Sequence, residues 1–170
     1  MRLDITPTLT RIDPVQFDYE WDASHVDLGS TVQLTQPVQV KGSCTMNADI
    51  FLVEGTITWH YATECDRCLK AMNCSVTVDF SEEFVHREDP DFPDRYLFAG
   101  QLIDLAPMAE DLMILNQPIS HVCKPDCKGL CPVCGKDRNE SICDCEQDTG
   151  RENPFAVLKD LLASQEEETK

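Results

Sequence analysis

Eight of the ten cysteines in this chain occur as four closely spaced pairs, an arrangement typical of sites for a soft metal ion. In chain order the pairs are Cys65 and Cys68, Cys123 and Cys127, Cys131 and Cys134, and Cys143 and Cys145. A gap of two residues, as in Cys65-Asp66-Arg67-Cys68, brings both sulfurs within reach of one ion at about 2.3 Å. The four pairs therefore provide the ligands for two four-thiolate sites, with no ligand left over.

Spacing along the chain predicts how the pairs combine. One site is predicted to contain the last four cysteines, Cys131, Cys134, Cys143 and Cys145. The other is then predicted to contain the remaining pairs, Cys65, Cys68, Cys123 and Cys127. A swapped pairing is also compatible with the sequence. His121 is an alternative ligand in place of Cys123, although a surface histidine is the simpler interpretation.

The ligand type predicts the metal and its role. Four soft thiolates favour zinc, so two structural zinc ions are expected, with iron or an iron-sulfur cluster as the alternative. A closed shell of four cysteines has no open position for water or substrate, so such sites stabilise a fold and do not catalyse. We therefore expect that the protein is not an enzyme. The remaining two cysteines, Cys44 and Cys74, are predicted to be packed thiols in or beside strands.

Two catalytic interpretations fail on the sequence. His86 and Glu88 with the later Cys131 and Cys134 resemble a zinc deaminase signature, but that signature has a proline directly before the first of the two cysteines, which is absent here. A thioredoxin-like pair at Cys65 and Cys68 would have to open a helix in a βαβ unit, and strands flank this pair instead.

The charge of the chain restricts its partners. There are 14 Lys and Arg against 31 Asp and Glu, a formal net charge of -17. General nucleic-acid binding requires a basic patch or stripe, which the sequence lacks, so direct binding to RNA is disfavoured. A basic protein partner is the better electrostatic match. The sequence does not indicate the oligomeric state.

The N-terminal residues contain no apolar run with a basic flank, and no stretch approaches the roughly 18 to 20 apolar residues of a membrane helix. We expect a cytoplasmic protein that is neither exported nor membrane-bound. In a reducing compartment disulfides rarely persist, which also favours metal binding by the cysteines.

Hydrophobic periodicity predicts strands over most of the first hundred residues. One run covers residues 38–46, and a longer one covers residues 50–62, where Ile57, Trp59 and Tyr61 alternate with polar residues and Gly55 suggests a bulge. A third run has Val76, Val78 and Phe80 on one face. The short turn that carries Cys65 and Cys68, a zinc knuckle, is therefore expected on a hairpin connection between two strands.

Residues 82–95 are acidic and contain two prolines, which predicts an exposed loop with six acidic side chains: Glu82, Glu83, Glu88, Asp89, Asp91 and Asp94. A helix is predicted near 104–116, with Asp104 as N-cap, Pro107 in the first turn and Pro118 ending it. Its core-facing side is predicted to carry Leu105, Met108, Leu112 and Leu115.

Together these predictions give an α+β fold: an antiparallel sheet with one packed helix, a two-zinc cysteine-rich loop and a C-terminal helix. The expected division is a β-rich core over 1–122, a zinc-binding segment over 123–151, a helix over 152–164 that opens with Asn153 and Pro154, and a disordered tail over 165–170.

Over about residues 40 to 165 the chain resembles the YceD-like family of large ribosomal RNA subunit accumulation proteins. The resemblance rests on Cys65-Asp66-Arg67-Cys68-Leu69, on the run from Cys127-Lys128-Gly129-Leu130-Cys131-Pro132 to Gly135, and on Asn153-Pro154-Phe155. It implies a role in large ribosomal subunit biogenesis, through accumulation or processing of ribosomal RNA, and no known catalytic residue. With the acidic charge, it suggests a basic ribosomal or assembly protein as partner, with an RNA-binding zinc module or a zinc-dependent regulatory protein as the alternative.

Overall fold

The computed structural model of the protein describes residues 1–10 and 13–145. The predicted C-terminal helix over 152–164, the tail over 165–170 and the end of the cysteine-rich segment lie outside the described residues. In chain order the elements are β1 (Arg2–Asp4), α1 (Thr6–Thr10), β2 (Val15–Trp21), β3 (Gln33–Leu34), β4 (Val38–Asn47), β5 (Ile50–Glu64), β6 (Ala71–Val85), β7 (Tyr96–Leu97), β8 (Leu102–Asp104) and α2 (Ala106–Leu115).

The main sheet has the order β2-β4-β5-β6-β7, and β3 pairs with β5 off this path. Its pairs are antiparallel except for the short parallel pair of β6 and β7. The first and eighth strands form a separate antiparallel pair. The predicted α+β class is confirmed: residues 1–10 and 13–145 contain a largely antiparallel sheet, two helices and a cysteine-rich segment.

One face of the main sheet contains the hydrophobic core. Along β5 the side chains of Ile57, Trp59 and Tyr61 are all at most 2% exposed, so the predicted period of two is confirmed. Helix α2 contributes Met108, Leu112 and other apolar side chains to the same core. The long β5–β6 hairpin is thereby held by the core along much of its length, and it carries the first cysteine pair at its tip.

Gly55 does not form the predicted bulge. It pairs directly with Gly42 of β4 in an uninterrupted register. A Cβ atom on Gly55 would lie 2.0 Å from the carbonyl oxygen of Lys41, and one on Gly42 would lie 2.1 Å from the carbonyl oxygen of Glu54. The two glycines allow the strands to approach more closely than side chains permit, which the sequence of β5 alone does not reveal.

Gly55→Ala is expected to destabilise the protein by about 3 kcal/mol, because the added methyl group meets backbone atoms that cannot move without parting the strands. Gly100→Ala is the control: that glycine has φ +77° and open space around its Cβ position, so the cost is the left-handed strain alone, about 1 kcal/mol. Urea unfolding of both variants measures the difference. Equal losses would contradict the steric explanation.

The helix near 104–116 is shorter than predicted. It covers Ala106–Leu115, with Leu105 as the N-cap residue, because Asp104 is the last residue of β8. The carboxylate of Asp104 still accepts a hydrogen bond from the backbone N–H of Ala106 at 3.0 Å. The helix ends before Pro118, and the Asn116 side chain donates to the carbonyl of Leu112 at 2.8 Å.

The prediction that Leu115 faces the core is wrong, since its side chain is 80% exposed. Ala109 and Met113 are buried instead, together with Leu105, Met108 and Leu112. In the last turn of the helix, the buried side therefore includes Met113 and not Leu115.

The acidic loop begins later in the chain than predicted, and it is attached to the sheet. Glu82 and Glu83 belong to β6, which continues to Val85. The guanidinium of Arg95 contacts the carboxylates of both Glu83 and Asp89 and lies 4.1 Å from the ring centre of Phe92. Residues 86–95 therefore form a loop that is fastened to the sheet by one arginine, with Glu88, Asp91 and Asp94 exposed.

Within the described residues, none of the helices has the length and apolar character needed to cross a membrane.

Candidate metal centres

The first candidate centre starts at the tip of the β5–β6 hairpin. Six residues, 65–70, connect the paired ends Glu64 and Ala71. The backbone N–H of Cys65 donates to the carbonyl of Lys70 at 2.9 Å, and that of Leu69 donates to the carbonyl of Cys65 at 2.8 Å. Leu69 has φ +59°, a left-handed conformation that closes the turn. The turn places the sulfurs of Cys65 and Cys68 side by side.

Residues 121–127 add the second cysteine pair of this centre. The Cys68 and Cys123 sulfurs lie 3.7 Å apart, and the Cys65 and Cys127 sulfurs 3.9 Å apart. All four sulfurs lie within 4.8 Å of one another. Four thiolates around one zinc ion at about 2.3 Å in a tetrahedron would lie about 3.8 Å apart. The spacing of the sulfurs fits such a site.

The second candidate centre contains Cys131, Cys134, Cys143 and Cys145, whose sulfurs also lie within 4.8 Å of one another. Its knuckle repeats the first in detail. The backbone N–H of Cys131 donates to the carbonyl of Lys136 at 2.8 Å, and that of Gly135 donates to the carbonyl of Cys131 at 2.9 Å. Gly135, with φ +71°, occupies the position of Leu69. The two knuckles are the same structural unit used twice.

The grouping of the sulfurs agrees with the predicted pairing and not with the swapped one. Outside the two groups, Cys44 is buried in the core and Cys74 is half-buried beside it, as predicted for packed thiols. The imidazole of His121 is not in a cysteine group. Its Nδ1 lies 3.4 Å from the hydroxyl of Tyr61, so a role as a substitute ligand has no support in the geometry.

Hydrogen bonds join the two centres through residues that sequence reasoning did not select. The carbonyl of Arg67 accepts from the backbone N–H of Leu130 at 2.9 Å, and the guanidinium of Arg67 donates to the carbonyl of Cys127 at 3.1 Å. The amide of Asn139 donates to the sulfur of Cys127 at 3.4 Å and accepts from the backbone N–H of Lys128 at 2.9 Å. In the sequence, the Asp137-Arg138-Asn139 motif after the second knuckle is the feature that could have indicated the contact of Asn139 with Cys127.

Within each group, hydrogen bonds, burial and neighbouring sulfurs shift the pKa values of the thiols in opposite directions. The backbone N–H of Cys123 lowers the pKa of Cys65 to about 6, and the backbone N–H of Cys134 lowers that of Cys131 to about 6. Burial raises the pKa of Cys123 to about 12, and the neighbouring sulfur of Cys134 raises that of Cys145 to about 12. Four crowded thiols cannot all ionise without compensation, whereas a divalent cation stabilises the thiolates that bind it.

Few apolar side chains hold the cysteine-rich segment in place. The small cluster around the first centre consists of buried Cys65, Cys68 and Cys127, packed with partly buried Met72, Val122, Cys123 and Leu130. In the second centre Val133 and Ile142 are exposed. Among the described residues, the segment after α2 therefore folds mainly on turn geometry and on its cysteines, not on an apolar core.

The fold and these groups define a protein in which a β-sheet carries a segment with two four-cysteine knuckle sites. A family model described as "Large ribosomal RNA subunit accumulation protein YceD" matches residues 53–162, and the chain belongs to this YceD family. The matched region includes all eight cysteines of the two groups.

Among curated proteins, the chain is similar to an uncharacterised protein of Mycobacterium tuberculosis, with 36% identity over 89 residues, covering 49% of this chain and 43% of that protein. It is also similar to a protein of Arabidopsis thaliana named "Large ribosomal RNA subunit accumulation protein YCED homolog 1, chloroplastic", with 25% identity over 164 residues, covering 76% of this chain and 51% of that protein. The chain thus spans about half the length of these relatives. No solved structure gives a match.

Proposed function

We propose that the protein is a non-enzymatic, zinc-binding factor in biogenesis of the large ribosomal subunit and that it acts through a basic protein partner. The observation that carries the zinc assignment is the pair of four-sulfur groups, each with its sulfurs within 4.8 Å of one another, and with separations of 3.7 and 3.9 Å in the first. The eight ligands would be Cys65, Cys68, Cys123 and Cys127 in one site, and Cys131, Cys134, Cys143 and Cys145 in the other.

A structural role for the metals follows from the ligand shells. Each group already offers four sulfurs, so a bound zinc ion has no free position for a substrate or a water molecule. The segment has little apolar packing of its own, and metal binding would supply the folding free energy that burial does not. Neither centre, as proposed, performs chemistry.

The ribosomal role is supported by the family. The family description and the name of the Arabidopsis relative both refer to accumulation of the large ribosomal RNA subunit. Accumulation of an RNA depends on the proteins that fold, protect or process it. A factor of this kind can act on the RNA itself or on the proteins that assemble with it.

Charge favours the protein partner. The chain has a net charge of -17, and each zinc ion with four thiolates would leave a further -2. Such a protein is repelled by a phosphate backbone and attracted by basic polypeptides. An acidic factor can therefore bind a basic large-subunit protein or assembly protein before that protein meets ribosomal RNA.

One observation favours the alternative, an RNA-binding zinc module. Six of the 14 basic residues surround the two centres: Arg67, Lys70, Lys124, Lys128, Lys136 and Arg138. Hydrogen bonds from Asn139 lower the pKa of Asp137. The charges of Lys70 in the hairpin and Lys124 in the later segment lower it further, so both lysines lie near this carboxylate. The region of the two centres is thus less acidic than the chain as a whole, and in this alternative RNA would bind here.

Affinity purification of the tagged protein from lysate, with and without nuclease, separates the two functions. For a basic protein partner, we expect large-subunit proteins or assembly factors to be recovered to the same extent after nuclease treatment. If recovery is lost with nuclease, and RNA binding by the purified protein weakens steeply as salt is raised, the RNA-binding module replaces our proposal.

A further inference from the structure

Strand β6 has a long open edge. One side of the strand pairs with β5 over all 15 residues, Ala71–Val85. On the other side β7 pairs only with Phe84 and Val85. From Ala71 to Glu83 no strand in the described part of the chain pairs with the outer edge, and no backbone hydrogen bond from another described segment reaches it. This leaves a row of backbone donors and acceptors open to another polypeptide.

Between Ala71 and Ser81 the edge lacks the features that prevent pairing, and Glu82 and Glu83 follow at its β7 end. Sheet edges are commonly protected by proline, lysine, bulges or short strand length. Residues 71–81 contain no proline, lysine or glycine, and Asp79 is their single charged side chain. The register with β5 is uninterrupted, so there is no bulge. An unprotected edge of this length is a surface for strand addition.

A half-buried apolar row lies along the same edge. Met72, Cys74, Val76 and Val78 alternate along β6 on its core-facing side and remain only partly buried. Helix α2 lies near one end of this row, since its Asp111 is close to Glu82 of β6. Its Asp111 accepts a hydrogen bond from the Tyr96 hydroxyl at 2.9 Å, which places that side of the helix towards the β7 end of β6.

Three and four residues after Asp111, on the same side of the helix, come Ile114 and Leu115. They are 54% and 80% exposed. A strand added to β6 would place alternate side chains beside the half-buried row, as in an extended peptide that binds to a sheet edge. Apolar side chains suit these inward positions.

The charge around the edge selects a basic occupant. Two acidic residues on β5, three on β6 and one on α2 carry negative charge: Glu54, Glu64, Asp79, Glu82, Glu83 and Asp111. The other acidic residue of α2, Glu110, pairs with His25 instead. None of these three elements contains a lysine or an arginine. Arg95 neutralises Glu83, while Glu82 lies near Asp111 with no basic residue of these elements to offset the two carboxylates.

We infer that the outer edge of β6, between Ala71 and Glu83, binds an extended basic polypeptide segment that adds to the sheet as a further strand. The segment has apolar residues at alternate positions, facing the row of Val76 and Val78, and basic residues between them. This inference rests on the proposed function, because it states how a basic partner binds.

The test uses the full-length, zinc-supplemented protein and a fluorescent ten-residue peptide of alternating valine and arginine. Thr77→Lys places a positive charge on the open edge. The control is Gln39→Lys on the interior strand β4, because Gln39, Thr58 and Thr77 form one cross-strand row on one face of the sheet. Both variants change the net charge equally. We expect Thr77→Lys to raise the peptide Kd about tenfold and Gln39→Lys to change it less than about twofold.

Amide hydrogen exchange of the wild-type protein locates the peptide without relying on a variant. Strand addition is expected to slow exchange of alternate amides between Ala71 and Glu83 and to leave β4 unchanged. A peptide in which glutamate replaces arginine is expected not to bind. Binding without protection of β6, or equal Kd values for the two variants, would overturn the inference.

The same proteins and peptide also test two other possible occupants of the β6 edge. If the protein is a dimer and Thr77→Lys makes it monomeric, the edge pairs with a second copy. If the β6 amides are protected without peptide and become exposed after deletion of residues 146–170, the chain's own segment occupies the edge. Either result overturns the inference. If the peptide fails to bind while nuclease-resistant recovery of a basic ribosomal protein persists, the proposed function stands and this site alone is lost.

Discussion

Purified protein is expected to contain two zinc ions per chain, and Cys65→Ser is expected to lower thermal stability more than Cys131→Ser. The centre of Cys65 joins the β5–β6 hairpin to residues 123–127, so its loss releases the cysteine-rich segment from the sheet. The centre of Cys131 lies within residues 131–145 and fastens only that loop. We expect a Tm about 10 °C lower for Cys65→Ser than for Cys131→Ser, equivalent to about 4 kcal/mol in a domain of this size.

Elemental analysis and calorimetry of the same preparations provide the check. Each variant is expected to retain one zinc ion, and the control Cys74→Ser, whose thiol lies outside both groups, is expected to retain two. A wild-type protein with one metal or none, or with iron in place of zinc, would refute the assignment. Equal Tm values for Cys65→Ser and Cys131→Ser would mean that the first centre does not hold the segment to the sheet.

Neutralising the exposed part of the acidic loop is expected to reduce recovery of the basic partner several-fold, because rim charges govern the rate of encounter. The suitable variant combines Glu88→Gln, Asp91→Asn and Asp94→Asn. Glu83 and Asp89 are left unchanged, since they hold Arg95 and with it the loop. Zinc content and Tm are expected to remain at the wild-type values.

The matched control removes three negative charges near the opposite edge of the sheet, with Asp13→Asn, Asp18→Asn and Glu20→Gln at or on β2. It is expected to retain the partner. Equal losses in both variants would show that net charge alone matters and that the loop is no contact surface. Loss of a nuclease-sensitive association from the loop variant would favour the RNA-binding alternative.

The grouping of the cysteines could be predicted because the spacing within each knuckle is local. Cys131 to Cys145 lie close in sequence, and assigning them to one group leaves a single combination for the other four. The position of the first knuckle followed from the alternation of β5 and β6 on either side of it. That the groups bind zinc stays a prediction, as do the division into a core and a cysteine-rich segment and the identity of the partner.

Features that depend on distant residues could not be predicted. Gly55 suggests a bulge when β5 is considered alone, and its pairing with Gly42 appears only with the sheet register. The attachment of the acidic loop depends on Arg95, which is 12 residues from Glu83 along the chain. Leu69 gave no sign of a left-handed backbone, since glycine is the usual residue there and the second knuckle has Gly135.

The two four-cysteine sites differ in how far apart their ligands lie along the chain, and this difference affects the order in which the sites can form. The second site closes a loop of about 15 residues, whereas in the first Cys65 and Cys127 are 62 residues apart. Loop-closure entropy makes the longer closure costlier by about 1 kcal/mol in an otherwise unfolded chain. During synthesis, Cys65 and Cys68 also leave the ribosome well before their partners. If the sites bind metal as proposed, the second can take up an ion as an isolated loop, whereas the first is completed only once the β5–β6 hairpin and residues 123–127 have come together. Its occupancy would then report that long-range contact.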